Sequence, residues 1–231
     1  MKVHRFFIDK DLSEYNLNLS DSKIINQIKN VLRLKIGEEV SFFNGRDEVL
    51  AKINSLEKDK ILFSCKKISI KKDRGIIVSL YCSVVKKDKF EWIVEKASEV
   101  GIFKIIPVIS SRTIKTSLNL KRLNDISKEA SEQSGRITLP LISDIMTFSQ
   151  SIEDAKFNKM NVFLNTDIDD RKIPKIGDGE SIGIFVGPEG GWTQEESDLA
   201  KKNGFLEKSL GNNIFRTETA AIVASYLFAN S

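Results

Sequence analysis

The chain has 231 residues, of which 41% are hydrophobic and 29% are charged, a balance typical of a folded protein with one or two cores. No apolar run approaches the roughly 18 residues that cross a bilayer, and the basic N-terminus lacks the apolar segment of a signal peptide. We therefore expect a cytoplasmic protein without membrane contact. Cys65 and Cys82 show neither metal-ligand nor disulfide-framework spacing, so no metal is expected.

The positive charge is concentrated in the N-terminal third of the chain. Residues 1–72 hold 15 Lys and Arg against 10 Asp and Glu, whereas residues 73–231 hold 21 against 22. A basic region favours a polyanionic partner through neutralisation of phosphates. An ordinary lysine-rich, solvated surface explains the same charge equally well.

The N-terminal region, 1–72, is predicted to form a small β-barrel with one helix. Apolar residues recur at helical spacing from Ser20 until Ile36-Gly37. The pair Asn44-Gly45 is a strong signal for a hairpin turn. Short strands are predicted at residues 3–8, 40–43, 49–53 and 61–68.

After a charged linker at Lys66 to Gly75, strands and helices alternate. This alternation predicts a mainly parallel, doubly wound α/β sheet over residues 73–231. Asp88 is the expected N-cap of a helix that ends at Gly101, and Thr193 with Glu196 is expected to form a capping box. Strands are predicted at 76–85, 103–109, 160–164 and 182–186, and further helices at 120–136 and 217–228.

Two segments near the C-terminus carry most of the functional information. Residues 185–193 read FVGPEGGWT and residues 209–221 read SLGNNIFRTETAA. Each breaks an apolar run at glycine before a helix, as ligand-binding loops do at strand ends in α/β sheets. Leu210-Gly211 offers backbone groups beside an apolar side chain, which suits an adenine ring. Tight turns without a ligand are the alternative.

The second segment also places charged groups at the start of the last helix. Arg216 can offer a planar fork of donors to a carboxylate, phosphate or carbonyl oxygen, and Thr217 is the expected N-cap. A surface ion pair with Glu218 or Glu189 is the alternative role for Arg216. The only histidine, His4, lies in the N-terminal region, so no histidine base is expected among these loops.

These segments resemble the C-terminal motifs of the SPOUT methyltransferases, and more narrowly the bacterial ribosomal RNA small-subunit methyltransferase E family. The resemblance covers nearly the whole chain, with the motifs in the family's order. Further matching segments are residues 31–34 before Gly37, 89–101, 107–113 and 129–136.

The resemblance implies a small PUA-like β-barrel domain followed by a SPOUT domain that ends in a trefoil knot. It implies a homodimer that uses S-adenosylmethionine to methylate N3 of one uridine in 16S rRNA, within naked rRNA or the small ribosomal subunit. Arg216 would stabilise charge on the uracil and Glu218 would act as the base, although Glu218 could instead only offset the helix dipole. Cofactor-binding residues carried over onto this chain are Leu164, Asn165, Gly187, Glu189, Gly190, Gly191, Leu210, Gly211, Asn213, Ile214, Thr217 and Thr219.

For RNA we select five basic residues, each of which could equally be ordinary surface charge. Two other functions stay open: methylation of another RNA atom such as a ribose 2′-hydroxyl, and RNA binding without catalysis. A Rossmann oxidoreductase is disfavoured because the first βα turn lacks the glycine fingerprint. The RNA candidates are Arg5, Arg33, Lys35, Arg112 and Arg136.

Overall fold

The computed structural model describes residues 3–68, 75–114 and 117–230. The chain divides into two compact units, one formed by residues 1–72 with 131–138 and the other by residues 73–130 with 139–231. The expected domain boundary, between residues 72 and 73, and most of the expected linker fall on residues 69–74, which lie outside the described residues.

The first unit contains a five-stranded mixed sheet. The strand order is β1-β3-β4-β5-β2, with β1 parallel to β3 and the other neighbours antiparallel. The Asn44-Gly45 hairpin is confirmed, because the side chain of Asn44 accepts hydrogen bonds from the backbone of Arg46 and Asp47. The strands are β1 (His4–Phe7), β2 (Asn16–Leu19), β3 (Glu39–Phe43), β4 (Glu48–Leu56) and β5 (Ile61–Lys67).

The helical segment of this unit is shorter and less regular than predicted. Helix α1 spans Ser22–Asn26 and begins at Asp21, whose carboxylate accepts from two backbone N–H groups. A π-helical turn, Gln27–Val31, follows. Arg33 then adopts a left-handed conformation with φ 56°, which a residue with a Cβ rarely does. The helical stretch therefore ends before Arg33 and does not continue to Gly37.

The second unit contains a seven-stranded parallel sheet. Its order is β12-β10-β11-β6-β7-β8, with β9 also paired to β7. The central strands are largely buried and rich in apolar residues, as is typical of parallel strands covered by helices. The strands are β6 (Ile77–Ser83), β7 (Lys104–Ile109), β8 (Leu141–Ile142), β9 (Met146–Thr147), β10 (Met160–Leu164), β11 (Ser181–Val186) and β12 (Leu206–Lys208).

Two predicted helix starts were wrong by a residue or two, whereas the capping box was confirmed. Lys86, not Asp88, is the N-cap of α2, so Asp88 lies in the first turn, where its charge suits the helix dipole. Arg216, not Thr217, precedes α6. Thr193 and Glu196 form the expected reciprocal box. The helices are α2 (Lys87–Glu99), α3 (Leu120–Ser134), α4 (Phe148–Ala155), α5 (Gln194–Lys202) and α6 (Thr217–Ala229).

The parallel order decides where the functional segments lie. Strands β10, β11 and β12 are neighbours that run in one direction, so the loops that follow them emerge at the same edge of the sheet. Within the described residues, no helix has the length and apolar character needed to span a bilayer.

Candidate functional site

A cavity of about 480 Å³ opens at the carboxyl edge of the sheet in the second unit. Three loops supply most of its lining: residues 164–168 after β10, residues 186–188 and 190–194 after β11, and residues 208–215 after β12. Thr217 and Ala220 of α6 close one side, and Ser197 and Lys201 of α5 also contribute. The volume lies within the range of ordinary small-molecule sites.

The loop after β11 is shaped by its glycines. The backbone N–H of Gly191 donates to the carbonyl of Pro188 at 2.9 Å, which closes a tight turn. Gly191 has φ 69°, a conformation that favours glycine. At Gly187 the reason is space, since a Cβ there would lie 3.1 Å from the ring of Trp192.

Trp192 fastens this loop to the end of β10. Its indole Nε1 donates to the carbonyl of Leu164 at 3.0 Å. Its ring stacks on Phe163, with centroids 4.7 Å apart. The indole therefore holds the loops after β10 and β11 in one arrangement, and both loops line the cavity.

The loop after β10 is fixed to β12 by charge and backbone hydrogen bonds. Lys208 forms an ion pair with Asp170 at 2.5 Å, and this hydrogen bond lowers the pKa of the Asp170 carboxyl below its usual value. The backbone of Asn165 donates to the carbonyl of Lys208, and that of Ser209 to the carbonyl of Asp170. These contacts hold the loop after β10 next to the loop after β12, and both loops line the cavity.

The loop after β12 presents backbone and apolar side chains together. Gly211 has φ 140°, so it is held in a conformation that a side chain would strain. The hydroxyl of Ser209 donates to the carbonyl of Gly211 at 3.1 Å. Ile214 is 84% exposed although it lines the cavity, as expected for an apolar group that a ligand would cover.

The structure brings ten of the twelve predicted cofactor residues together around this cavity. The two that do not line it are Glu189, whose side chain faces Lys89, and Thr219, which is half-buried on α6. The ten that line it are Leu164, Asn165, Gly187, Gly190, Gly191, Leu210, Gly211, Asn213, Ile214 and Thr217.

The two predicted catalytic residues differ sharply in environment. Arg216 is exposed at the N-cap of α6. Neither of the ion pairs considered for it forms among the described residues, because Glu189 and Glu218 both pair with Lys89 instead. Glu218 is 5% exposed and does not line the cavity. A base must reach the proton that it removes, so the placement of Glu218 disfavours direct proton transfer.

Arg112 lines the cavity and also holds one of its loops. Its guanidinium donates to the carbonyls of Gly190 at 2.6 Å and Trp192 at 3.2 Å. The neighbouring backbone N–H of Ser111 donates to the carboxylate of Glu196 at 2.8 Å. The segment after β7 thereby braces the loop after β11 and the start of α5. Arg112 has a structural role in addition to any contact with RNA.

The other RNA candidates all lie in the first unit. The guanidinium of Arg5 is engaged within the protein: it pairs with Glu48 at 2.8 Å, donates to the carbonyls of Ser131 and Arg136, and lies over the ring of Phe43. Only 13% of the Arg5 side chain is exposed, so little of it is accessible from solvent. Arg136 is half-buried and donates to Thr138. Arg33 and Lys35 are exposed.

Sequence reasoning missed three residues that shape the site. Trp192 lies within the first glycine-broken segment and Lys208 directly precedes the second, and these positions were usable signals. Lys89 came within a matching segment, but its partners Glu189 and Glu218 are distant in sequence, so no local pattern could identify them. Across the described part of the chain, no group of His, Cys, Asp or Glu side chains is arranged to hold a metal.

Two family profiles match the chain. The profile of an RNA methyltransferase domain covers residues 72–229, and that of an RNA methyltransferase PUA domain covers residues 20–64. The two matches correspond to the parallel sheet and the mixed sheet.

Similar proteins extend the match over almost the full length. A ribosomal RNA small subunit methyltransferase E from Rickettsia conorii is 35% identical, covering 97% of this chain and 94% of that protein. Its namesake from Bacillus subtilis is 29% identical, with coverage of 96% and 94%. The crystal structure of a ribosomal RNA small subunit methyltransferase E from Neisseria gonorrhoeae bound to S-adenosyl methionine superposes with a TM-score of 0.87 at 29% identity, covering 98% and 96%.

The comparisons confirm the expected fold class, a PUA-like unit followed by a SPOUT-type α/β unit with a parallel sheet. They cover both units, and a cavity lies where the resemblance carried over most of the cofactor residues. The chain therefore belongs to the ribosomal RNA small subunit methyltransferase E family.

Proposed function

We propose that this protein transfers a methyl group from S-adenosylmethionine to N3 of a uridine in 16S rRNA, in the free RNA or in the small ribosomal subunit. The observation that carries the proposal is the cavity at the carboxyl edge of the sheet, lined by both glycine-broken motifs at once. Family membership over nearly the full chain supports the same activity.

The lining of the cavity fits an adenosyl cofactor. Leu164, Leu210 and Ile214 supply apolar contact for a flat ring, and the glycine loops expose backbone donors and acceptors for its polar edge. The Neisseria gonorrhoeae relative binds S-adenosyl methionine. When bound, this cofactor supplies the methyl group from its sulfonium, and the protein residues orient it and the acceptor base.

The acceptor sets a clear chemical requirement. N3 of uracil is an imide N–H that is essentially un-ionised at neutral pH, so the proton must leave and the resulting negative charge must be stabilised. Arg216 is the residue that we propose for this stabilisation, because its guanidinium is exposed next to the cavity-lining Thr217. Orientation of donor and acceptor contributes as well.

We propose that the RNA contacts the first unit around Arg33 and Lys35. Both side chains are exposed and cationic, and Arg33 is held in a strained backbone conformation with φ 56°. Strain of this kind persists where the surrounding structure enforces it, often at functional positions. The adjacent Val31 and Ile36 are 65% and 63% exposed, which adds apolar surface for bases.

We propose that the protein acts as a homodimer through α6. A helix that is apolar on all sides is normally buried on all sides. In α6 the inner face packs in the core through Ala221, Ala224 and Phe228, but Tyr226 on the outer face is 59% exposed. A second copy of the chain would cover this face. Light scattering should give twice the 26.1 kDa mass of one chain. The variant Tyr226→Glu should give the mass of a single chain.

A reducing compartment suits this protein, since Cys65 and Cys82 are both free and buried. We therefore propose that it works in the cytoplasm, where ribosomal subunits are assembled. Fractionation of cells that carry a tagged copy would test this location, and recovery with the membrane fraction would contradict it.

The decisive experiment is mass spectrometry of nucleosides from 16S rRNA of cells with and without this protein. We expect 3-methyluridine to disappear when the protein is absent and to return with the wild-type chain. Loss of a ribose-methylated nucleoside instead would assign the 2′-hydroxyl reaction. No change in any methylated nucleoside would leave only an RNA-binding role.

A further inference from the structure

Lys89 lies between two carboxylates from the two functional motifs. It is the third residue of α2, and its Nζ is 3.2 Å from Oε1 of Glu218 and 3.8 Å from Oε1 of Glu189. Glu189 belongs to the loop after β11 and Glu218 to the first turn of α6. One ammonium group therefore connects two segments that are separated in sequence by α5 and β12.

The carboxylate of Glu218 is buried against this ammonium group. Only 7% of the Glu218 side chain is exposed, and its Oε2 is buried without a hydrogen-bond partner among the described residues. A buried carboxylate is costly unless a cation or donors compensate it. In the described part of the chain, Lys89 is the only cation within ion-pair distance of Glu218. The position of Glu218 in the first turn of α6 adds a favourable interaction with the helix dipole.

The two carboxylates do not line the cavity, while their sequence neighbours form its wall. Pro188 and Gly190 flank Glu189, Thr217 precedes Glu218, and all three flanking residues line the cavity. Glu189 and Glu218 themselves do not. A contact that fixes the two carboxylates therefore fixes the spacing of the two walls without touching a ligand between them.

We propose that Lys89 is a positioning residue for the cofactor pocket, holding the loop after β11 against α6 through Glu189 and Glu218. This inference rests on the proposed function, since the pocket that it shapes is the methyl-donor pocket. Its role is to maintain affinity for S-adenosylmethionine, not to take part in methyl transfer.

The test compares Lys89→Met, Lys89→Arg and the control Lys87→Met in the full chain. Lys87 lies on the same turn, but its side chain is 70% exposed and its contact with Glu91 is long, at 3.9 Å. Titration calorimetry with S-adenosylmethionine should show about a tenfold weaker Kd for Lys89→Met, a typical coupling between linked sites. Lys89→Arg should stay within about threefold because arginine keeps the positive charge at position 89. Lys87→Met should be unchanged because Lys87 pairs with Glu91 and not with the two carboxylates of the bridge.

Kinetics separate positioning from catalysis and from general destabilisation. We expect Lys89→Met to raise KM for S-adenosylmethionine while kcat at saturating cofactor stays within about threefold, the signature of lost uniform binding. Should that variant fail to fold, Glu189→Gln removes only the exposed half of the bridge. It should weaken cofactor binding with an unchanged melting temperature.

Three results would overturn the inference. One is wild-type affinity in both Lys89→Met and Glu189→Gln. Another is a failure of Lys89→Arg to restore affinity although it restores the melting temperature, which would make Lys89 merely structural. A wild-type protein that binds no S-adenosylmethionine would overturn the proposed function itself and this inference with it.

Discussion

The indole of Trp192 packs directly against Gly187, in the space that a side chain there would need. A Cβ at position 187 would lie 3.1 Å from Cε2 and Nε1 of that ring. The same indole donates to the carbonyl of Leu164. A glycine in one loop thus permits the contact that joins it to the next loop. This relationship defines two walls of the cavity.

Gly187→Ala should weaken binding of S-adenosylmethionine. The new methyl group pushes the indole, and overpacking of this kind costs about 1–3 kcal/mol, so we expect roughly a tenfold rise in Kd by calorimetry. Gly177→Ala is the matched control, because its Cβ would meet only Glu180 at an ordinary 3.5 Å. Equal affinities of the two variants for S-adenosylmethionine would show that the indole can move away from the new methyl group without disturbing the cavity.

Trp192→Phe should separate the hydrogen bond of the indole from its packing. Phenylalanine retains an aromatic ring against Phe163 but leaves the Leu164 carbonyl without its donor. A net hydrogen bond contributes about 1 kcal/mol, so a Kd for S-adenosylmethionine roughly fivefold weaker is expected. A greater loss in Trp192→Phe than in Trp192→Ala would contradict this division.

Arg112→Met should impair the cofactor site more than RNA binding. The variant loses the guanidinium donors to the carbonyls of Gly190 and Trp192, and charged hydrogen bonds contribute about 1.5–3 kcal/mol. We expect weaker binding of S-adenosylmethionine and an unchanged salt dependence of RNA affinity. Intact cofactor affinity with a shallower salt dependence would assign Arg112 to RNA.

The pair Arg5–Glu48 should make the stability of the chain sensitive to acid. Burial raises the pKa of Glu48, but hydrogen bonds from Arg5 and Ser41 outweigh it and leave the pKa below its ordinary value of 4.5. A depressed native pKa stabilises the fold above the unfolded-state value, and this stabilisation is lost as the pH falls through the native pKa.

Glu48→Gln should therefore destabilise the fold by about 2 kcal/mol at pH 7, and the difference from wild type should shrink between pH 5 and pH 3. Thermal melting across this range measures it. Glu57→Gln, which removes an exposed pair with Lys60, should have little effect. A gap between Glu48→Gln and wild type that widens toward pH 3 would refute the assignment.

Arg33→Gln combined with Lys35→Gln should weaken RNA binding at every sequence tested. Loss of two phosphate contacts should reduce the slope of log affinity against log salt by about 1.5. Lys58→Gln, an exposed lysine of the same unit, is the control for nonspecific charge. A double variant with the same slope as Lys58→Gln would remove Arg33 and Lys35 from the RNA surface.

Local sequence patterns predicted most elements of the fold. Continuous apolar runs located β6, β10 and β11, and Thr193 with Glu196 located the start of α5, because these signals depend on residues within one turn or strand. Strand β2 was missed, since Asn16–Leu19 has only two apolar residues. Asp88 was misassigned because a good capping residue also suits the first turn of a helix.

The sequence by itself determined the parallel α/β class, the two glycine-broken loops and, through their resemblance, most of the residues around the cavity. Only the tertiary structure decided that Arg5 pairs with Glu48, that Glu218 pairs with Lys89, and that Trp192 joins two loops. The physical reason is distance along the chain. Side-chain partners that belong to different strands, helices and loops are chosen by strand order and packing, which no local pattern encodes.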